Sequence, residues 1–136
     1  MKPEALFSAR IRAGLLGCDI ERIENRVNLG ISDMLIGIED QFVMVENKVV
    51  IKGYKVALRP HQIAFLTRHA LRGRPSYVLV LWKASGARPD TIMLYHGRQA
   101  IELAEQGLRL RPVAQWLSRG IDWQEVKKEL LRNLSN

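Results

Sequence analysis

The chain is poor in the residues that mark secreted, zinc-binding and membrane proteins. Of its 136 residues, one is cysteine and three are histidine. The single cysteine, Cys18, cannot form an intrachain disulfide. It has no local base that would activate it as a nucleophile, so a small core residue is favoured. No stretch approaches the roughly 20 apolar residues that a membrane helix needs. With no apolar leader at the start, we expect a cytoplasmic protein that does not engage a membrane.

Two kinds of cofactor site are also missing. His61 and His69 lie eight residues apart on one predicted helix, too far for shared coordination, and the third histidine is His96, so a zinc site is not favoured. The glycines never take the spacing of a phosphate-cradling or dinucleotide-binding loop. We therefore expect no nucleotide cofactor.

Acidic residues are scarce relative to basic ones. Lys and Arg number 21 against 14 Asp and Glu, which gives a net charge of +7. Such a protein is drawn to polyanions, and nucleic acid is the commonest of these, although small basic proteins are frequent in general. With 47% apolar and 26% charged residues, the chain is of ordinary globular composition, and its length fits one domain over residues 1–136.

The most informative pattern lies in the segment from Asp33 to Lys48. Two apolar runs, 34–38 and 41–45, flank the polar pair Glu39-Asp40, which predicts a β-hairpin. If that pair forms a two-residue loop, counting back along both strands sets Asp33 directly opposite Glu46.

Two opposed carboxylates call for a cation between them. Opposed residues hold their Cβ atoms about 4.5 to 5.5 Å apart, where like charges repel. Lys48 lies on the same face as Glu46, because side chains alternate along a strand. Carboxylates on a rigid strand pair suit Mg²⁺ or Mn²⁺ together with substrate phosphate oxygens. The alternative is a surface hairpin with ordinary charges, but apolar residues on both faces and the cost of burying unpaired acids favour a metal site.

These residues also resemble a known motif. Gly30-Ile31-Ser32-Asp33, followed about a dozen residues later by Glu46-Asn47-Lys48, resembles the PD-(D/E)xK nuclease superfamily, although many members have proline where Ser32 stands. The segment 58–66 with Gly73 after it is similar to the helix that carries an accessory glutamine in the virus-type replication-repair (VRR-Nuc) branch. The archaeal-type Holliday junction resolvases are similar too. The likeness covers Glu4 to about Trp82.

The resemblance implies a metal-dependent endonuclease that cuts branched DNA as a homodimer, and such enzymes are often phage-encoded. It implies that Lys48 orients or activates the attacking water and that Gln62 is the accessory glutamine. It also implies a set of metal ligands, Glu4, Asp33, Glu46 and the backbone carbonyl of Asn47. A restriction or repair nuclease on duplex or flap DNA, and a DNA-binding protein without catalysis, remain alternatives.

Basic residues before, within and after the second predicted helix form a candidate DNA-binding edge. Its members are Lys52, Lys55, Arg59, His61, Arg68, Arg72 and Arg74.

The periodicity of apolar residues predicts an α/β fold. A helix after the hairpin followed by a buried strand requires a crossover, so the sheet must be mixed. With the resemblance, this predicts a restriction-endonuclease-like core, α-β-β-β-α-β, with C-terminal helices. The expected helices are 3–17, 60–71, 97–106, 112–117 and 123–134, and the expected strands are 20–27, 34–50 as a hairpin, 77–82 and 92–95. The apolar stripe of the last helix favours packing on its own core over contact with a second subunit.

Overall fold

The structure is a computed structural model, and it describes residues 2–23 and 34–132. The helices are α1 (Pro3–Gly14), α2 (Pro60–Leu71), α3 (Ala100–Gln106) and α4 (Trp123–Leu131). The strands are β1 (Asp19–Arg22), β2 (Met34–Ile38), β3 (Gln41–Val50), β4 (Ser76–Trp82), β5 (Thr91–His96) and β6 (Ala114–Leu117).

The six strands form one sheet in the order β1-β2-β3-β4-β5-β6. All neighbours are antiparallel except β3 and β4, which run parallel and are joined through α2. A parallel pair needs a crossover connection, and α2 supplies it. The mixed sheet and the α/β class are therefore as predicted from the order of elements.

The hairpin has the register that the sequence predicted. Ile38 pairs with Gln41, so Glu39 and Asp40 form a two-residue loop, and the pairing continues to Met34 opposite Val45. Glu39 adopts a φ of 56°, the left-handed conformation that tight hairpin loops require. Asp33, and with it the motif start at 30–33, lies outside the described residues, as do the turn at 28–30 and the end of the predicted strand 20–27.

Helices cover both faces of the sheet. One core contains buried residues of α1 and α4 against the sheet, among them Phe7, Ile11 and Val126. The core on the other face contains Leu66 of α2 and Leu103 of α3. Strands between two helical layers are apolar on both sides, which explains why β4 is buried along almost its whole length. No helix in the described ranges is long and apolar enough to cross a membrane.

The helix boundaries follow local rules. Pro3 and Pro60 occupy the first turns of α1 and α2, where the missing amide hydrogen would have no partner within the helix. The Asp122 side chain accepts a hydrogen bond of 3.0 Å from the backbone N–H of Gln124 and so caps α4. The predicted stripe of α4 packs on its own core through Val126 and Leu130. The predicted last residues of this helix, from 133 onward, lie outside the described part.

One predicted element is wrong. The segment 112–117 was expected to be a short helix, but residues 114–117 form β6, which pairs with β5 at the edge of the sheet. Ala114 and Trp116 pack against the core, whereas Gln115 and Leu117 are exposed. This is the alternation of a half-buried strand. The segment is too short for its periodicity to separate strand from helix, and pairing with β5 decides the outcome.

Candidate active site

The described part of the candidate site is a carboxylate and an ammonium on the middle strand β3. Lys48 Nζ lies 3.8 Å from Glu46 Oε2, and the two side chains are 11% and 2% exposed. They are two residues apart and therefore share one face of the strand. That face also carries Val50, which packs in the core under α2 and α3. The structure thus brings together two of the three groups that the motif was expected to gather.

The surroundings of this pair are apolar. On β4, Val78 lies beside Glu46 and Val80 beside Lys48, and both valines are fully buried. Removing two charges from water costs several kcal/mol per ion, and their attraction repays this only in part. A buried ion pair is therefore weak evidence for stability. Where such a pair interrupts an apolar face, it is a candidate for function.

The strand β3 extends beyond its described pairing with β2. The pairing with β2 reaches Val45, whereas the pairing with β4 continues to Val50. Glu46 is the first residue of β3 past the described end of β2. Position 33 would come next on β2, and it lies outside the described residues, so the predicted role of Asp33 stays a prediction.

Asn47 points to the opposite face of the sheet and contacts α1. Its Nδ2 donates a hydrogen bond of 2.9 Å to Ser8 Oγ, and the side chain is fully buried. This bond fixes α1 against the strand that carries the candidate site. The predicted ligand role of Asn47 uses its backbone carbonyl and stays a prediction.

Glu4 lies in the first turn of α1 and is exposed. It precedes Ser8 by four residues, so both lie on the same side of the helix. Because α1 contacts the face of β3 to which Asn47 points, the helix lies across the sheet from the side chains of Glu46 and Lys48. Within residues 2–23 and 34–132, no three His, Cys, Asp or Glu side chains come together as a metal-binding group. The role of Glu4 stays a prediction.

Gln62 has a structural contact at the start of α2. Its Oε1 accepts a hydrogen bond of 3.0 Å from the backbone N–H of Arg59. This bond satisfies one of the backbone N–H groups that lack a partner within the helix at its start. Its role as an accessory glutamine stays a prediction.

The predicted DNA-binding edge is exposed along its whole length. Every member is solvent-exposed: Lys52, Lys55, Arg59, His61, Arg68, Arg72 and Arg74. In the part of the chain that the structure describes, none of them forms an ion pair with a carboxylate.

The charges of this edge act on a neighbouring histidine. Burial lowers the pKa of His69, and the guanidinium groups of Arg74, Arg68 and Arg72 lower that pKa further. The Arg74 guanidinium also lies 3.1 Å from His69 Nδ1. The end of α2 is therefore a region of positive potential, as a phosphate-binding surface needs.

The structure also assembles a basic cleft of about 370 Å³ that sequence reasoning missed. Arg74 in it belongs to the predicted edge, and His96 was weighed only as a zinc ligand. Arg98, Arg132 and the exposed Phe42 were not assigned to any site. These residues are far apart in sequence, so no local spacing could have grouped them.

No protein-family model matches the chain, and no curated protein matches it at a significant level. Among solved structures, the chain is similar to Hjc, a Holliday junction resolvase from Archaeoglobus fulgidus, with a TM-score of 0.48 and 14% sequence identity. The similarity covers 72% of this chain and 75% of that chain.

Proposed function

We propose that this protein is a metal-dependent DNA endonuclease whose active site contains Glu46 and Lys48. The observation that carries the proposal is the buried pair of carboxylate and ammonium groups, 3.8 Å apart, on an otherwise apolar face of a middle strand. The hairpin register supports Asp33 as the second carboxylate, because the register found from Ile38 to Met34 is the one that predicts Asp33 opposite Glu46.

The donor set fits a hard divalent cation. Mg²⁺ and Mn²⁺ are held by one or two carboxylates, with substrate phosphate oxygens and water completing the shell. Glu46, Asp33 and the backbone carbonyl of Asn47 would hold the ion. When bound, such an ion makes a water nucleophilic at neutral pH and neutralises charge on the phosphate.

Lys48 acts as a positioned cation. Its ammonium group donates hydrogen bonds to the attacking water or to a phosphate oxygen, and it stabilises the negative charge that develops as the phosphodiester bond breaks. Glu46 holds it in place from the same face of the strand. Because both side chains are shielded from water, their charges act more strongly than exposed charges would. Gln62 would assist from the first turn of α2.

The basic edge supplies affinity for DNA. Contacts from Lys and Arg to phosphates are largely independent of sequence, so they suit recognition by shape. The resemblance of the motif to junction-cutting nucleases favours branched DNA and a homodimer, in which two sites nick symmetric strands. Linear duplex and flap DNA are the alternative substrates.

The test is a cleavage assay on a four-way junction, a flap and a linear duplex of identical sequence. We expect Mg²⁺-dependent cleavage, fastest on the junction and abolished by EDTA. Lys48→Ala should reduce the cleavage rate by about 100-fold or more, as the loss of a charge-stabilising group does. Its affinity for DNA should stay nearly unchanged, because phosphate contacts elsewhere supply it. Lys128→Ala removes an exposed lysine of α4 and is the matched control.

Each other outcome has a definite meaning. Normal cleavage by Lys48→Ala would refute the site. Equal cleavage of the three substrates would refute the preference for branched DNA while leaving the nuclease. DNA binding without Mg²⁺-dependent cleavage would leave the second candidate, a DNA-binding protein without catalysis.

A further inference from the structure

The basic cleft lies at the edge of the sheet where β3 and β4 begin and β5 ends. The end of α2 forms one wall and the end of α4 another, and the cleft has a volume of about 370 Å³. The lining residues that matter here are Phe42, Arg74, Tyr77, His96, Arg98 and Arg132.

The charge of the cleft is positive. Three arginines from separate parts of the chain line it, and no Asp or Glu is among its lining residues in the described structure. Glu129 offsets part of this charge, because its carboxylate lies 3.6 Å from the Arg132 guanidinium. Arginine presents a planar fork of donors that matches phosphate oxygens. The cleft therefore suits an anion.

His96 adds a neutral hydrogen-bond donor. Its Nδ1 accepts a hydrogen bond of 3.1 Å from the backbone N–H of Arg98, so the proton of the neutral ring is on Nε2. Burial, and next the charge of Arg98, lower the pKa of His96 to about 4. The ring is held by the edge-to-face contact with Tyr77, at 5.3 Å between ring centroids.

Tyr77 fixes the wall formed by α4. Its hydroxyl lies 3.4 Å from the carbonyl oxygen of Glu129 and 3.2 Å from that of Arg132. The last carbonyls of a helix carry partial negative charge that would repel an anion. A hydroxyl directed at them reduces this repulsion, and it holds Arg132 at the rim of the cleft.

Phe42 gives the cleft an apolar surface beside its charged residues. It is the second residue of β3, on the face of the strand that also carries Glu46, and it is 60% exposed. Part of its ring lies against Gly37, its partner on β2, and the rest is open to solvent. Beside a group of arginines, an exposed ring is a platform on which a nucleic-acid base stacks.

We propose that this cleft binds one nucleotide unit of an unpaired nucleic-acid strand, with its phosphate on Arg74, Arg98 and Arg132 and its base on Phe42. The proposal rests on the proposed function for the nature of the ligand. Phe42 and Glu46 are four residues apart on β3, about 13 Å along the strand. The cleft would therefore hold the substrate strand about 13 Å from the cutting site.

The test measures binding of a fluorescent hexathymidylate by anisotropy, in EDTA so that no cleavage occurs. Phe42→Ala and Arg74→Ala should each raise the Kd about tenfold, the effect of losing one stacked base or one phosphate contact. Phe42→Trp should keep the affinity. The matched controls are Leu117→Ala, which removes an exposed apolar side chain from β6, and Arg119→Ala, which removes an exposed arginine. Both controls should bind as the wild type does.

Competition separates a nucleotide site from a simple anion site. Thymidine 5′-monophosphate should displace the oligonucleotide at a concentration at least tenfold lower than inorganic phosphate does. Equal displacement by the two, or unchanged binding by both Phe42→Ala and Arg74→Ala, would overturn the proposal. So would equal weakening by the two controls.

The same samples separate this inference from the proposed function. Lys48→Ala should bind the oligonucleotide as the wild type does while failing to cut DNA in Mg²⁺. If the wild type cuts nothing but binds the oligonucleotide through Phe42 and Arg74, the nuclease proposal fails and the cleft stands. If the wild type cuts DNA but the cleft variants bind the oligonucleotide normally, the cleft proposal fails and the nuclease proposal stands.

Discussion

Residues two apart on a strand share a face, and at the scale of single residues this rule places Lys48 beside Glu46. Both side chains are almost inaccessible to water. An isolated charge of either sign at this depth would be strongly disfavoured, so each charge offsets part of the cost of burying the other. The pair does little for the stability of the fold, which agrees with the catalytic role that we propose for it.

A second residue-scale effect is the pH dependence that His96 confers on stability. Burial, together with the charge of Arg98, lowers its pKa from 6.5 to about 4 in the folded protein. The unfolded chain therefore binds a proton between about pH 6.5 and pH 4 that the folded chain does not, so stability rises with pH across this window and falls as pH drops through it. We expect His96 to reduce the free energy of unfolding by about 2 to 3 kcal/mol between pH 7.5 and pH 4.5.

Urea unfolding at the two pH values measures this loss. His96→Asn keeps a side-chain acceptor for the N–H of Arg98 but cannot take up a proton, so its loss of stability should be smaller by that amount. His61→Asn, at an exposed position, should behave as the wild type does. If His96→Asn and the wild type lose the same stability, another group is responsible.

At the scale of elements, α3 depends on the glycine that follows it. Gly107 has a φ of +64°, and a Cβ there would lie 2.3 Å from the carbonyl oxygen of Tyr54. That oxygen accepts a hydrogen bond of 2.7 Å from the N–H of Leu108. A side chain at 107 would therefore strain the backbone and push apart the bond that holds the end of α3 to the loop before α2.

We expect Gly107→Ala to lower the free energy of unfolding by about 3 kcal/mol or more, from strain and overlap together. Gly86 has a similar φ of +58°, but a Cβ added there would have nothing within 4 Å of it, so Gly86→Ala should cost about 1 kcal/mol from strain alone. Denaturant titration of both variants measures the difference. Equal losses would show that the contact with Tyr54 does not matter.

At the scale of the whole molecule, the net charge of +7 is not spread evenly. The exposed edge along α2 continues through Arg74 into the basic cleft. Burial lowers the pKa of His69, which lies near the junction of the two, and the charges of Arg74, Arg68 and Arg72 lower that pKa further. A continuous positive surface releases counterions when it binds DNA, so its affinity must depend on salt.

This dependence gives a direct test of the edge. The slope of log K against log salt concentration for duplex DNA should become less negative by about 1.8 in the double variant Arg68→Ala/Arg72→Ala, since each phosphate contact contributes about 0.9. The double variant Arg119→Ala/Lys128→Ala removes the same charge from other exposed positions and should leave the slope unchanged. Binding titrations at four or five salt concentrations measure it. Equal slopes for the two double variants would remove the edge from the interface.

The sequence by itself determined the features that depend on near neighbours in the chain. The start of α2 at Pro60 follows from a missing amide hydrogen, and the hairpin register follows from a two-residue loop. The shared face of Glu46 and Lys48 follows from the alternation of a strand. Backbone geometry fixes each of these within a few residues, so each can be derived without knowing what packs nearby.

Only the tertiary structure decided the features that depend on distant partners. The segment of β6 is a strand because β5 offers it an edge, which four residues of its own cannot encode. The basic cleft exists because packing brings Phe42, Arg74, Arg98 and Arg132 together from four separate segments. Local periodicity carries no information about such long-range contacts, since they depend on which helix packs on which end of the sheet.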